Sequence, residues 1–278
     1  MAPGRRSLVA ALLLALASAA PAAAKSISIS IAPRIELRDG GLVAQVRVSN
    51  SGDDIAQSVT PVLRFGDQQV RAEARPELGP NQSMEATLSL PVGALGPGRW
   101  AYQVAVDYTD ANQYPFQALH AGLLTVGNPP PVKAAVSQVT ADPVAKSGTV
   151  RVKVKNLADV TRAAILTVLA PEGVEVTTPV QQLTLGGWEE KSLSARLTNR
   201  TALAGSRYPI FVTLHYDDDG VRQTAVAQGL VEIRASQSFF QERQTALLVG
   251  AAVLVAGWLG VLAWWLFVGR PRRVERGS

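Results

Sequence analysis

The chain contains no cysteine. That excludes disulfides, thiolate metal sites, a cysteine nucleophile and a lipid anchor on cysteine. An exported protein of this kind must be held by packing alone. Histidine is nearly absent as well, with His120 and His215 the only two. Two histidines cannot build a three-histidine metal site. A Ser-His-Asp arrangement needs a positioned nucleophile, and no Gly-x-Ser-x-Gly elbow occurs. Both histidines therefore read as ordinary strand residues. Long amphipathic helical patterning is missing too. Of the five tryptophans, Trp258, Trp264 and Trp265 sit in one C-terminal apolar run, which leaves Trp100 and Trp188 for the rest.

Charge is present but sits at the ends. The net charge is +5 and the sequence pI is about 9.7, values that at first suggest a nucleic-acid binder. Arg5 and Arg6 at the start, and Arg270, Arg272, Arg273 and Arg276 against Glu275 at the end, account for the whole surplus. The stretch between is electrically balanced and offers no basic stripe for phosphate, so nucleic acid is excluded as a partner.

Those basic ends flank apolar runs. Residues 1–24 read as a signal peptide: Arg5 and Arg6, an apolar stretch from Leu8 to Ala17, then Ala22-Ala23-Ala24 before Lys25. Residues 245–268 carry no charge and are long enough to cross a bilayer core as one helix. Residues 236–244 form a juxtamembrane segment and 269–278 a basic tail. By the positive-inside bias the tail is cytoplasmic and the preceding chain lies outside, periplasmic or extracellular. The expected location is the cell membrane, single-pass, in a bacterial envelope. Within the span, Ala252, Ala256 and Gly260 recur every four residues, a small face on which another helix can approach closely. Trp258 lies near mid-span, where packing against a partner accounts for it better than an interfacial role.

Between the ends the chain repeats itself at a period of about 107 residues, too long for a solenoid and suited to tandem domains. Val46-Arg-Val-Ser-Asn50 matches Val152-Lys-Val-Lys-Asn156, and Leu78-Gly79 matches Leu185-Gly186. Arg99-Trp100 through Tyr108 matches Arg207-Tyr208 through Tyr216, and Gly122–Val126 matches Gly229–Ile233. The copies span 25–127 and 132–235. The proline-rich linker 128–131 between them favours an extended, semi-rigid spacer. Apolar residues alternate with polar ones in Leu42–Val48, Glu85–Leu90, Tyr102–Tyr108, Val150–Val154, Leu193–Leu197 and Pro209–Tyr216, as in half-buried strands. Turn signals such as Asp39-Gly-Gly41, Gly66-Asp67 and Asp218-Asp-Gly220 separate them. The expected class is all-β: two tandem immunoglobulin-like β-sandwiches without the disulfide core, plus one C-terminal transmembrane helix.

The second copy resembles the NPCBM-associated and CARDB groups of bacterial Ig-like modules. The resemblance is carried by Leu169-Ala-Pro-Glu-Gly173, Leu183-Thr-Leu-Gly-Gly-Trp-Glu-Glu190, Gly205–Val212 and His215-Tyr-Asp-Asp-Asp-Gly220. The first copy follows more loosely, through Asn50-Ser-Gly52, Leu78-Gly-Pro-Asn81 and Gly98–Tyr108. The resemblance implies adhesion, spacing or carbohydrate-associated roles, and supplies no catalytic residue.

Few residues stand out as sites. Asp217, Asp218 and Asp219 supply oxygens of the kind calcium requires, but Asp-Gly also suits a hairpin tip. Asp107, Asp110 and Asn112 hold the equivalent place in the first copy. Trp100 aligns with Tyr208, which points to a core or corner role. Trp188 aligns with Asn81, and having no aromatic counterpart it is the candidate surface contact. The expected function is non-enzymatic, with no cofactor and no metal: a membrane-tethered extracytoplasmic binding or scaffold protein. As such it would be an accessory subunit of an envelope transport, secretion or polysaccharide assembly. It would contact a protein partner through the helix or the sandwiches. The alternative is a carbohydrate- or cell-wall-binding module at the membrane. Exposed aromatics on a sandwich face would favour sugar.

Overall fold

Alternating apolar residues become strands wherever the sequence pattern is strongest. The computed structural model describes residues 26–236, together with helical residues at 249–250, 253–258, 260–261 and 264. The first half holds β1 (Ile29–Arg38), β2 (Gly41–Asn50), β3 (Ala56–Phe65), β4 (Gln68–Arg71), β5 (Arg75–Leu78), β6 (Ser83–Pro91), β7 (Gly98–Thr109) and β8 (Pro115–Val126). The second holds β9 (Ala134–Ala141), β10 (Ser147–Asn156), β11 (Arg162–Leu169), β12 (Val174–Thr177), β13 (Val180–Leu185), β14 (Glu190–Asn199), β15 (Arg207–Asp218) and β16 (Val221–Glu232). The fold is all-β sandwich.

In the first half, β1-β2-β6 form one sheet, while β7 lies between β3 and β8, with β4 and β5 beyond β3. The alternation along β2 buries Leu42, Ala44, Val46 and Val48 against Leu63, Val104 and Val106. In the second half, β12-β14-β10-β9 face β13-β11-β15-β16. Here Val150, Val152 and Leu197 share a core with Leu166, Ile210 and Leu214. At about 1.5–3 kcal/mol for each fully buried aliphatic side chain, these two cores supply the main stabilisation in a chain without disulfides.

Strands β3, β7 and β15 depart from the half-buried alternation expected for Tyr102–Tyr108 and Pro209–Tyr216. Val104, Ala105 and Val106 are consecutive and all fully buried, as are Val62 and Leu63. Residues Ile210 to Leu214 are buried without a break. The cause is a third apolar cluster: Val62, Ala105, Leu119 and Ala121 from the first half pack with Phe211, Leu169 and Val226 from the second. These strands carry one core on each face, which is why their apolar residues run together.

The two halves also share a sheet. β16 and β7 meet in parallel at Arg222 and Gly98, joining both halves into one nine-stranded sheet. A Cβ at Gly98 would lie 2.5 Å from the Arg222 carbonyl oxygen, so only glycine permits this approach. The proline linker is pinned on the seam. The Arg99 Nη1 donates to the Pro130 carbonyl at 2.7 Å and to Gln223 Oε1 at 2.6 Å. At the far end of the seam the Tyr114 hydroxyl donates to the Thr201 carbonyl. The Glu172 amide donates to Gln117 Oε1 at 3.1 Å.

Among the described residues no helix is long and apolar enough to cross a membrane. Ala256, Trp258 and Gly260 are helical and exposed, with Trp258 67% accessible. Ala252 and the remainder of the 245–268 span lie outside the described residues, as do the signal peptide and the basic tail.

Candidate functional site

The repeated sequence motif Val-x-Val-x-Asn closes on a buried asparagine in each half. Asn50 and Asn156 are both fully buried. Asn50 Nδ2 donates to the carbonyls of Asp54 (2.7 Å) and Leu78 (3.0 Å), while its Oδ1 accepts from the Gly52 amide at 3.0 Å. Asn156 Nδ2 donates to the carbonyls of Val160 and Gly186, both at 2.8 Å, and its Oδ1 accepts from Ala158 at 3.1 Å. Each asparagine ties two loops together at one end of its sandwich, using both donors and the oxygen of its amide.

Trp188 stands on one of these tied loops. Its φ is 58°, the same left-handed value as its counterpart Asn81. Asparagine visits that region readily, whereas a bulky residue there is an outlier. Gly187 rests against the backbone of Asp159, and the Trp188 amide donates to the Ala158 carbonyl at 2.8 Å. The residue is 64% exposed, beside a loop whose Leu157 and Val160 are 41% and 58% exposed. Sequence reasoning singled out Trp188 and missed Leu157 and Val160. Their signal was two apolar residues in a loop that starts at the structural Asn156.

The aspartate turn resolves differently from a calcium loop. Asp218 is buried at 3% exposure. Its carboxylate meets Arg162 Nη1 at 2.7 Å and Lys133 Nζ at 3.0 Å. Burial alone would raise its pKa, but the hydrogen bonds and charges of Lys133 and Arg162 outweigh it and hold the carboxyl below its ordinary value. Asp217 accepts from the Gly220 amide at 2.8 Å, and positive φ at Asp219 and Gly220 makes the hairpin tip. In the first half Asp110 accepts the amides of Asn112 and Tyr114, and Asp107 pairs with Arg71 at 2.9 Å. Among the described residues no group of three acidic or histidine side chains converges.

The histidines sit on strands. His120 lies between Tyr102 and Phe211, with ring centroids 6.2 and 6.0 Å away, and burial lowers its pKa. His215 Nδ1 is 3.3 Å from Thr224 Oγ1. Burial first, then Arg222, lowers its pKa, against a smaller opposing effect of Asp217. Neither has a carboxylate and a hydroxyl nucleophile arranged on opposite ring nitrogens, as a triad requires.

Among the described residues, one concave feature lies at the seam. A cavity of about 960 Å³ opens where Gly96, Pro97 and Trp100 face Thr184, Lys191 and Asp217. A second, of about 560 Å³, runs on past Arg64, Tyr102 and Thr213. Trp100, Ile165, His215 and Arg222 line both, so the two are one groove crossing the seam. The Arg222 guanidinium lies 4.6 Å from the centre of the Trp100 ring, whose other neighbour is Phe65 at 6.1 Å. Burial lowers the Arg222 pKa from the guanidinium norm, and a guanidinium stays charged in proteins. Trp100 packs half-buried against the core of the first half and also forms a wall of the groove.

No family model matches the chain, and no curated protein matches it. Among solved structures, red sea bream transglutaminase is similar at 14% identity, over 75% of this chain and 31% of its own, with a TM-score of 0.26. A Salmonella alpha-2-macroglobulin is similar at 12% identity, over 75% of this chain and 16% of its own, with a TM-score of 0.31. A trypsin-activated alpha-2-macroglobulin from Escherichia coli gives 11%, 75%, 18% and 0.30. The chain spans less than a third of each of these proteins. Likeness at such scores carries no argument about activity.

Proposed function

We propose that the chain is a non-enzymatic binding or scaffold protein of a cell envelope, held at the membrane by residues 245–268 with its sandwiches on the outer side. In this reading the halves are tandem immunoglobulin-like domains, and the protein serves as an accessory subunit of a transport, secretion or polysaccharide assembly. The strand orders β9-β10-β14-β12 and β13-β11-β15-β16 support the immunoglobulin-like assignment, since they reproduce the two-sheet arrangement of that fold.

The observation that carries the binding role is the exposed apolar tip of Leu157, Val160 and Trp188. Ile233, from which the chain leaves, bridges Val144 near the start of β10. The tip follows the end of that ten-residue strand, about 34 Å away along the strand. A tether at the leaving end holds the tip off the membrane, where a partner reaches it. An exposed tryptophan is a residue type enriched among interface anchors.

The test is site-specific photocrosslinking in the full-length protein in its own membrane. A photoreactive residue at Trp188 should yield a discrete adduct, and Trp188→Ser should lower recovery of the same complex at least about tenfold. Adducts forming equally at Arg34, an exposed position on β1, would overturn the assignment. A second reading, a carbohydrate-binding module, is favoured by a separate observation, the aromatic groove at the seam.

A further inference from the structure

We infer that the seam groove is a binding site for an extended acidic saccharide, one bearing carboxylates along its chain. This rests on the carbohydrate reading above and names its ligand class. Three features of the groove carry it.

The first is shape. The two cavities share Trp100, Ile165, His215 and Arg222 and have a combined extent larger than a monosaccharide needs, so the site takes a chain rather than a single small molecule. The second is charge. Arg64, Lys191 and Arg222 line the groove, against Asp217 as its single acid. Asp217 already accepts the Gly220 amide within its own turn. Arg222 makes no ion pair among the described residues, yet its guanidinium carbon lies over the indole of Trp100, 4.6 Å from the ring centre. A guanidinium fixed on an aromatic face keeps its in-plane donors pointed outward for a carboxylate, which it binds in bidentate fashion. Trp100 is then a positioning residue for Arg222.

The third feature separates a saccharide from an acidic peptide. Peptides that add to sheets are read through backbone groups at an open edge. The groove lies instead where side chains of β3, β7, β11, β13, β14, β15 and β16 come together. It offers hydroxyls of Thr167, Thr184 and Thr213, amides of Gln103 and Gln182, and the Tyr102 ring. Hydroxyl and amide groups beside aromatic rings match the alternating polar edges and apolar faces of pyranose rings.

The experiment titrates the full-length protein in detergent with three probes of similar length: an oligogalacturonate, a neutral dextran fragment and an oligoglutamate. Binding is followed by calorimetry and by tryptophan emission. The oligogalacturonate should bind at least about tenfold more tightly than dextran, and binding should weaken with added salt. Arg222→Gln should reduce its affinity about tenfold or more. Lys191→Gln, on β14 and outside the β7–β16 bridge, should reduce it less, and Arg34→Gln on β1 should leave it unchanged. Because Arg222 also adjoins the docking contact, Lys191→Gln keeps the inference testable if Arg222→Gln unfolds. Equal binding of dextran and oligogalacturonate would overturn the acidic ligand while leaving the carbohydrate reading standing. Binding of oligoglutamate alone, or of no probe, would overturn both.

Discussion

Asn50 and Asn156 hold the two halves to the same local design, and their energetics follow from what they bond. Replacing either by alanine strands two backbone carbonyls and at least one amide in a buried loop junction. Each unpaired buried group costs about 1–3 kcal/mol, so either substitution should remove about 3 kcal/mol, measured as a drop in urea midpoint without a change in slope. Asp218 makes a second residue-scale case, because it neutralises two cations of which Arg162 is only 10% exposed. Asp218→Asn should cost about 3 kcal/mol near neutral pH, as loss of one partner from a buried pair does. The pH dependence has a definite sign. Its folded pKa is depressed, so its contribution is complete above the ordinary carboxylate value of about 4 and is lost as pH falls through the lower folded value. Denaturant titrations should therefore show wild type and Asp218→Asn converging as pH is lowered past the ordinary carboxylate range and through the depressed folded value. A gap that persisted in acid would mean that packing, not the ion pair, sets the cost.

At the scale of elements, period-two patterning predicted β2, β6, β10 and β14 closely, because each has one buried face and one wet one. The turns at Asp39-Gly40 and Asp219-Gly220 were legible for a related reason: their positive φ values are those that Asp and Gly tolerate. What the pattern hid was docking between the halves. Val104-Ala-Val106 and Ile210-Phe-Val212 are continuous apolar runs, the signature of strands covered on both faces, but periodicity cannot say what covers the second face. The groove was illegible too, since it joins Trp100 to Arg222 across 122 positions and only the fold brings them together. Gly98 is the element-scale test of the seam. Gly98→Ala places a methyl group where the Arg222 carbonyl stands, at a φ of 155°. The parallel bridge should open, and limited proteolysis at the 128–131 linker and the residues flanking it should run several-fold faster than in wild type. Unchanged cleavage would show that the bridge is dispensable to docking.

At the scale of the whole molecule, the consequence of the third cluster is cooperativity. Two sandwiches on a free spacer would melt separately, and each would fold alone. Here Val62, Ala105, Leu119 and Phe211 are buried in a cluster to which both halves contribute, and Pro129 is buried in the linker between them. Isolated halves spanning 26–127 and 132–236 would expose that apolar face and should associate or lose stability relative to the joined chain. Phe211 is the largest side chain in the cluster, so Phe211→Ala should cost about 3–5 kcal/mol, a large-to-small change at a buried aromatic. Most of that loss should fall on docking rather than on either core, since Phe211 packs outside the Ile210–Val212–Leu214 face. Calorimetry of the wild type should show one transition, with the calorimetric and van't Hoff enthalpies equal. In Phe211→Ala the transition should broaden or split into two, as the halves uncouple. The same variant bears on the groove, whose walls come from both halves: uncoupling should weaken saccharide binding even though Phe211 does not line it. Two transitions already present in wild type would mean that the seam is too weak to preorganise any site built across it.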